Sequence, residues 1–353
     1  MPPTRRSFVR LFWSIVLSLA LRRRAIATGA GSAPPPVSDH CDGRRFFNPG
    51  GDGPRGFREF LRWQFTRRPG AWPARVDNTA TPRLAASLDP RECAVTFVNH
   101  STFLLQFPGL NLLTDPVWSE RCSPVSWAGP KRVRAPGLDF AALPHIDAVL
   151  LTHNHFDHLD LPTLARLHAA HRPLIVTLLG VRPLLASHGL DRVVELDWWQ
   201  HHDLPAGIRA TATPAQHFSA RNFTDRMESL WGGFALTTPA GRLYFAGDSG
   251  YFDGFQKIGE RLGPFDLAFI PIGAYEPRWF MQPVHCNPAE AIRIHRDVRA
   301  RRSLAMHFGC FPLADDSYTQ PLDDFLAARR AAALDPADFV LPETGETLCF
   351  ALG

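Results

Sequence analysis

The sequence predicts an α/β protein in which β-sheets pack together under a cover of helices. Two observations point there. From Cys93 onward, short apolar runs rich in Val, Leu, Ile and Phe alternate with turns and helical stretches. Antiparallel-looking strand pairs occur early and again between Ile208 and Phe245, with helices interleaved. Layers of this kind bury one face of each sheet against the other and leave the second face for helices.

Taken in order, a short amphipathic helix is expected over Phe57–Phe65. Ala94–Val98 and Phe103–Phe107 read as a strand pair and Leu110–Leu113 as a third strand. Ile146–Leu151 follows, then Leu161–His171, a helix with Pro162 in its first turn and Asp160 as its cap. Strands are expected at Leu174–Leu178, Ile208–Thr213, Gly233–Thr237, Leu243–Phe245, Leu267–Pro271 and Leu304–Met306. Helices are expected at Pro288–Val298, capped by Asn287, and at Asp323–Ala332. No internal repeat is evident.

The N-terminus reads differently. Thr4-Arg5-Arg6-Ser7-Phe8-Val9-Arg10, an apolar run from Leu11 to Leu21 and Ala25-Ile26-Ala27 resemble a twin-arginine export signal cut after Ala27. That predicts export to the periplasm or a membrane-associated location. The alternative is a cytoplasmic chain with an uncleaved basic-apolar anchor on the membrane surface. The expected organisation is a signal at 1–27, a Gly/Ala/Ser/Pro linker at 28–39, an aromatic and basic extension at 40–90 and a catalytic domain at 91–353.

Of 353 residues, 45% are hydrophobic and 20% charged, enough for a large core. The formal net charge of +4 is mild. It gives no footprint of a nucleic-acid binder, and no basic-aromatic platform for single strands is evident. The six cysteines form no CxxC pair, which argues against a zinc knuckle. Nothing in the sequence sets an oligomeric state.

The chemistry lies in Asp147-Ala-Val-Leu-Leu-Thr-His153-Asn-His155-Phe-Asp157-His158. An apolar strand ends and four metal-ligating side chains follow within six residues. Residues i and i+2 of an extended backbone point the same way, so His153 and His155 can serve one metal. Further candidates also follow apolar strands: His217 after Ile208–Thr213, Asp248 after Leu243–Phe245 and His307 after Leu304–Met306. Strands delivering ligands from one end of a sheet converge on one cleft. His153, His155 and His217 would hold one metal, Asp157, His158 and His307 a second, with Asp248 between them. Two such ions, zinc by default with iron or manganese as alternatives, would share an ionised water as the nucleophile. A G-x-S-x-G elbow is absent, in keeping with a reaction that needs no serine.

These residues resemble the metallo-β-lactamase superfamily, whose signature is the H-x-H-x-D-H run. Longer strings resemble, within it, the N-acyl-phosphatidylethanolamine-hydrolysing phospholipases D. They include Leu113-Thr-Asp-Pro116, Gly129-Pro-Lys-Arg132, Phe245-Ala-Gly-Asp-Ser-Gly-Tyr251, Ile270-Pro-Ile-Gly-Ala-Tyr-Glu-Pro-Arg-Trp-Phe-Met281 and Ser303-Leu-Ala-Met-His-Phe-Gly309. The resemblance spans roughly Phe46 to Phe350. It implies a four-layer αββα sandwich with a dinuclear zinc site on the seven residues above. It also implies roles for His100 near the site and for His285 against a substrate phosphate. Arg278 could clamp a phosphate bidentately, or its aromatic loop could serve packing alone.

The expected catalytic groups are Asp157, Asp248 and His285, with His100, Arg278 and His285 facing substrate. The expected reaction is phospholipase D-type hydrolysis of a phospholipid. The alternatives are a lactonase or related enzyme acting on a carbonyl centre of another small ester, and a binding protein on a relict fold.

Overall fold

The computed structural model describes residues 35–50, 53–222 and 224–353, and Pro35–Gly353 forms one compact unit. The export signal at 1–27 and most of the linker lie outside the described residues. No helix among the described residues is long and apolar enough to cross a membrane.

Two seven-stranded sheets make the fold. In the first, β1 (Glu92–Asn99), β2 (Thr102–Phe107), β3 (Leu110–Thr114), β4 (Ala148–Leu151), β5 (Leu174–Leu178) and β6 (Val193–Leu196) follow in order. The C-terminal β14 (Thr347–Ala351) lies outside β1. The second sheet runs in order from β7 (His201–Asp203) through β8 (Arg209–Thr213), β9 (Gly233–Thr237), β10 (Arg242–Phe245), β11 (Phe265–Pro271) and β12 (Ala300–Met306) to β13 (Phe339–Val340). Each sheet is mixed: β1–β2–β3 and β7–β8–β9–β10 pair antiparallel, whereas β3–β4–β5–β6 and β10–β11–β12–β13 pair parallel through crossover connections.

The helices are α1 (Phe57–Thr66), α2 (Leu161–His171), α3 (Arg182–Ala186), α4 (Gly254–Leu262), α5 (Arg278–Met281), α6 (Pro288–Asp297) and α7 (Gln320–Ala331). Strand periodicity decides which side chains meet which layer. On β4, Ala148 and Leu150 join the large core, whereas Val149 and Leu151 join a second cluster with Leu164 and Leu167 of α2 and Leu185 of α3. The large core sits between the sheets, where Phe97 and Phe103 of the first meet Phe245, Phe269 and Leu304 of the second. This is the expected αββα layering.

The expected helices at 57, 161 and 288 are present. Asn287 caps α6 with a full capping box: its side chain accepts from Glu290 N–H and Glu290 reaches back to Asn287 N–H. Asp160 does not act as the expected cap. Its carboxylate accepts from Trp118 N–H, Ser119 N–H and the Ser119 and Thr163 hydroxyls, so it ties the loop after β3 to α2.

The segment at 40–90 is anchored by His40, whose side chain is 7% exposed. Its ring lies 2.7 Å from Asp197 and 2.6 Å from Asp39 and stacks on Trp198. Burial opposes charge on the ring, but the bonds to Asp197 and Asp39 outweigh it and raise its pKa above the ordinary value. A raised pKa stabilises the fold at pH below the unfolded value near 6.5, and the gain is lost as pH climbs through the folded value. The melting-temperature difference between wild type and His40→Gln should therefore be larger at pH 6 than at pH 9. Equal differences would remove the ion pair from the account.

Candidate metal centre

The residues that follow β4, β8, β10 and β12 gather in one place. Each strand end carries candidates into the same space: His153, His155, Asp157 and His158 after β4, His217 after β8, Asp248 after β10 and His307 after β12. His100 enters from the β1–β2 turn, Asp115 from the end of β3 and His285 from the segment between α5 and α6.

Two groups of donors result. Nδ1 of His155 lies 2.9 Å from Nε2 of His153 and 3.2 Å from Nε2 of His217. In the other group, Oδ2 of Asp157 is 3.4 Å from Nε2 of both His158 and His307 and 3.0 Å from Nε2 of His100. Asp248 stands between the groups. Its Oδ2 is 3.0 Å from His307 Nε2, 3.2 Å from His158 Nε2 and 3.9 Å from His217 Nε2. The structure thus brings all seven expected ligands together.

The electrostatics divide the same way. Burial, with neighbouring histidines, pulls His155 down to about 3 and His153 well below its ordinary value; burial pulls His217 down to about 4. These three are neutral nitrogen donors at pH 7, the form a metal requires. Burial also works against charge on His158 and His307, but Asp248 with Asp157 outweighs it, pushing His307 up to about 9 and His158 well above its ordinary value. Burial favours neutral Asp157 and Asp248, yet His158 and His307, joined at Asp157 by His100, hold both carboxyls well below the usual range. The carboxylates demand positive charge, which protons or a metal cation can supply.

Buried atoms without partners test whether a cation fits. His158 Nε2, His307 Nε2 and Asp248 Oδ1 have no hydrogen-bond partner. Such atoms are costly unless something satisfies them. All belong to overlapping clusters of nitrogen and oxygen donors, the chemistry of zinc, iron or manganese sites, so the residues fit metal ions.

Supporting groups orient the rings. Thr152 Oγ1 lies 2.9 Å from His153 Nδ1, Asp115 Oδ2 2.7 Å from His158 Nδ1, and the Val284 carbonyl 2.8 Å from His217 Nδ1. Sequence reasoning missed all three. For Asp115 a signal existed, since it follows an apolar strand as the ligands do. Backbone strain gathers here too: His100, Asp115 and His307 have φ of +48°, +33° and +60°. Gly247 (φ +64°) precedes Asp248 where a Cβ would lie 2.5 Å from the Gly232 carbonyl oxygen, so only glycine lets the chain turn there.

The expected substrate-facing residues differ from one another. His285 is partly exposed, with Nδ1 3.9 Å from Asp248 Oδ2 and its ring 5.1 Å from that of His217 and 5.3 Å from that of His307. His100 is buried and bonded to Asp157 within the donor cluster. Arg278 donates from Nη1 to the His285 carbonyl and from Nη2 to both oxygens of Glu290, rather than standing free for a phosphate.

A model of the beta-lactamase superfamily domain matches residues 110–308, the stretch holding the whole cluster except His100. The chain belongs to the metallo-β-lactamase superfamily. It is 42% identical over 280 residues to an uncharacterized protein of Mycobacterium tuberculosis, covering 77% of this chain and 74% of that one. It is 39% identical over 263 residues to N-acyl-phosphatidylethanolamine-hydrolyzing phospholipase D 1 of Caenorhabditis elegans, covering 71% and 74%. Igni18, a metallo hydrolase of Ignicoccus hospitalis, superposes with a TM-score of 0.56 at 21% identity, over 74% of this chain and 100% of that one, a shared fold. With its donor cluster, the metallo-β-lactamase fold here is that of a metal-dependent hydrolase.

Proposed function

We propose that this metal-dependent hydrolase is a zinc phosphodiesterase of the phospholipase D type, acting on N-acyl-phosphatidylethanolamine-like lipids at a membrane surface outside the cytoplasm. The observation that carries the reading is the 39% identity to the C. elegans phospholipase D over 263 residues. The surface supports it. Phe57, Phe65 and Trp279 are exposed, and Arg62 lies over the Trp279 ring 4.7 Å from its centre. Arg55 donates to the Trp279 carbonyl, which joins this aromatic and basic patch to the segment leading to His285. An anionic, partly apolar surface suits such a patch.

Metal ions bound by the cluster supply an acidified water and positive charge against the phosphoryl oxygens. The residues do the rest. His153, His155 and His217 present neutral nitrogens, while Asp157 and Asp248 fix negative charge between the two groups. Asp115 and His100 hold His158 and Asp157 in register. His285, partly exposed, contacts the phosphate of the bound lipid, and Arg278 acts on it by gripping its carbonyl. Water adds across the bond between phosphorus and the head-group oxygen, leaving a phosphatidic acid and the head-group alcohol.

The test is mass spectrometry of vesicles containing N-acyl-phosphatidylethanolamine, incubated with purified protein of known metal content, beside a panel of lactones. Release of N-acylethanolamine is expected. Turnover of a lactone with intact lipids would replace this reading by the carbonyl one.

A further inference from the structure

The histidines of the cluster differ in how their outward nitrogens are satisfied. Those of His153, His158 and His217 meet Thr152, Asp115 and the Val284 carbonyl. Nδ1 of His307 is buried and has no partner, and so is Nδ1 of His100. The two rings lie side by side, their centres 4.0 Å apart. Both residues line a small pocket together with Asp316, Trp72, Phe308, Phe311 and Leu313. Its volume of about 10 Å³ for the centre of a water molecule is about that of one water site.

The donors and acceptors balance for one water. His307 directs Nε2 at Asp157 and Asp248, so a metal-bound neutral ring carries its proton on Nδ1 and must donate it. His100 Nε2 faces ionised Asp157, which only accepts, so His100 donates there and its Nδ1 is a bare acceptor. Asp316 is 4% exposed and offers carboxyl oxygens. A water accepts one hydrogen bond from His307 and donates one each to His100 and Asp316. Without it, two buried ring nitrogens would be left without a hydrogen-bond partner, which is costly.

We infer that this cavity holds one structural water that links His307 Nδ1 and His100 Nδ1 to Asp316, making Asp316 the positioning residue for the His307 side of the metal centre. The inference rests on His307 being a ligand and not on the lipid substrate. A high-resolution crystal structure of the metal-loaded protein should show a single ordered water within hydrogen-bond reach of all three groups. A dry cavity, or a protein partner on His307 Nδ1, would overturn the inference.

Two variants supply an independent readout, metal retention against a chelator. Asp316→Leu fills the cavity and removes the acceptor, and one metal should be held about 10–100-fold more weakly. Asp316→Asn keeps an acceptor oxygen and should stay within a few fold of wild type. Equal retention by Asp316→Leu and wild type would also overturn it. Neither readout involves lipid turnover, so failure here leaves the proposed substrate standing, and the reverse.

Discussion

Asp248→Asn is expected to cut turnover by at least about a thousandfold, with secondary structure and solubility unchanged. Asp248 is the one carboxylate that reaches both donor groups, with His307, His158, His217 and His285 nitrogens between 3.0 and 3.9 Å from Oδ2. Its side chain is 2% exposed, so its charge acts with little screening. An amide has the same shape but no charge, and it turns N–H donors toward groups that need an acceptor. Removing one partner from a buried charge pair costs about 3–5 kcal/mol, and 4 kcal/mol of lost transition-state stabilisation is about three decades of rate. Metal analysis should show fewer ions per chain in the variant. A residue with only a packing role would give a lower melting temperature with turnover kept. Equal turnover by variant and wild type would exclude a role for Asp248 in catalysis.

The parts of the site that were legible in the sequence share a physical cause. A buried strand must be apolar, so a run such as Leu304-Ala-Met306 announces its own end, and a histidine just beyond it stands at a sheet edge. That reasoning located His153, His155, His217, Asp248 and His307. Edge strands give no such signal. His201–Asp203 is polar and mostly exposed, Phe339–Val340 is two residues long, and both were missed as strands. Thr347–Ala351 was missed too, and what it does is pair with β1. The α4 helix has buried Phe255 and Ile258 at helical spacing but begins at a glycine without a side-chain cap, which hid it. Pairwise roles are harder still. Arg278 meets Glu290 because α5 and the capped start of α6 lie side by side, and Asp160 meets the loop at Trp118 rather than the backbone N–H groups of its own helix end. Those outcomes depend on which elements pack together, and residue types alone do not carry it.

Asp115 shows the same point in energetic form, and its replacement should give the largest loss of stability. It is fully buried and accepts three hydrogen bonds: 2.8 Å from Thr152 N–H, 2.7 Å from the Thr152 hydroxyl and 2.7 Å from His158 Nδ1. Burial raises its pKa, and the pairing with His158 works the other way. In Asp115→Ala those donors lose their acceptor inside the core, at about 3–5 kcal/mol together. That corresponds to a melting temperature lower by roughly 5–7 °C. His158 would also lose the contact that fixes its ring, so metal affinity should fall about 10–100-fold. Asp115→Asn separates the two effects. Its oxygen can still serve Thr152, but its amide N–H₂ faces the same His158 nitrogen that must donate. Stability should therefore fall less than in the alanine variant, while metal affinity falls as far. A variant that binds metal like wild type despite a lower melting temperature would limit Asp115 to holding the strand ends together, with no hold on the metal centre.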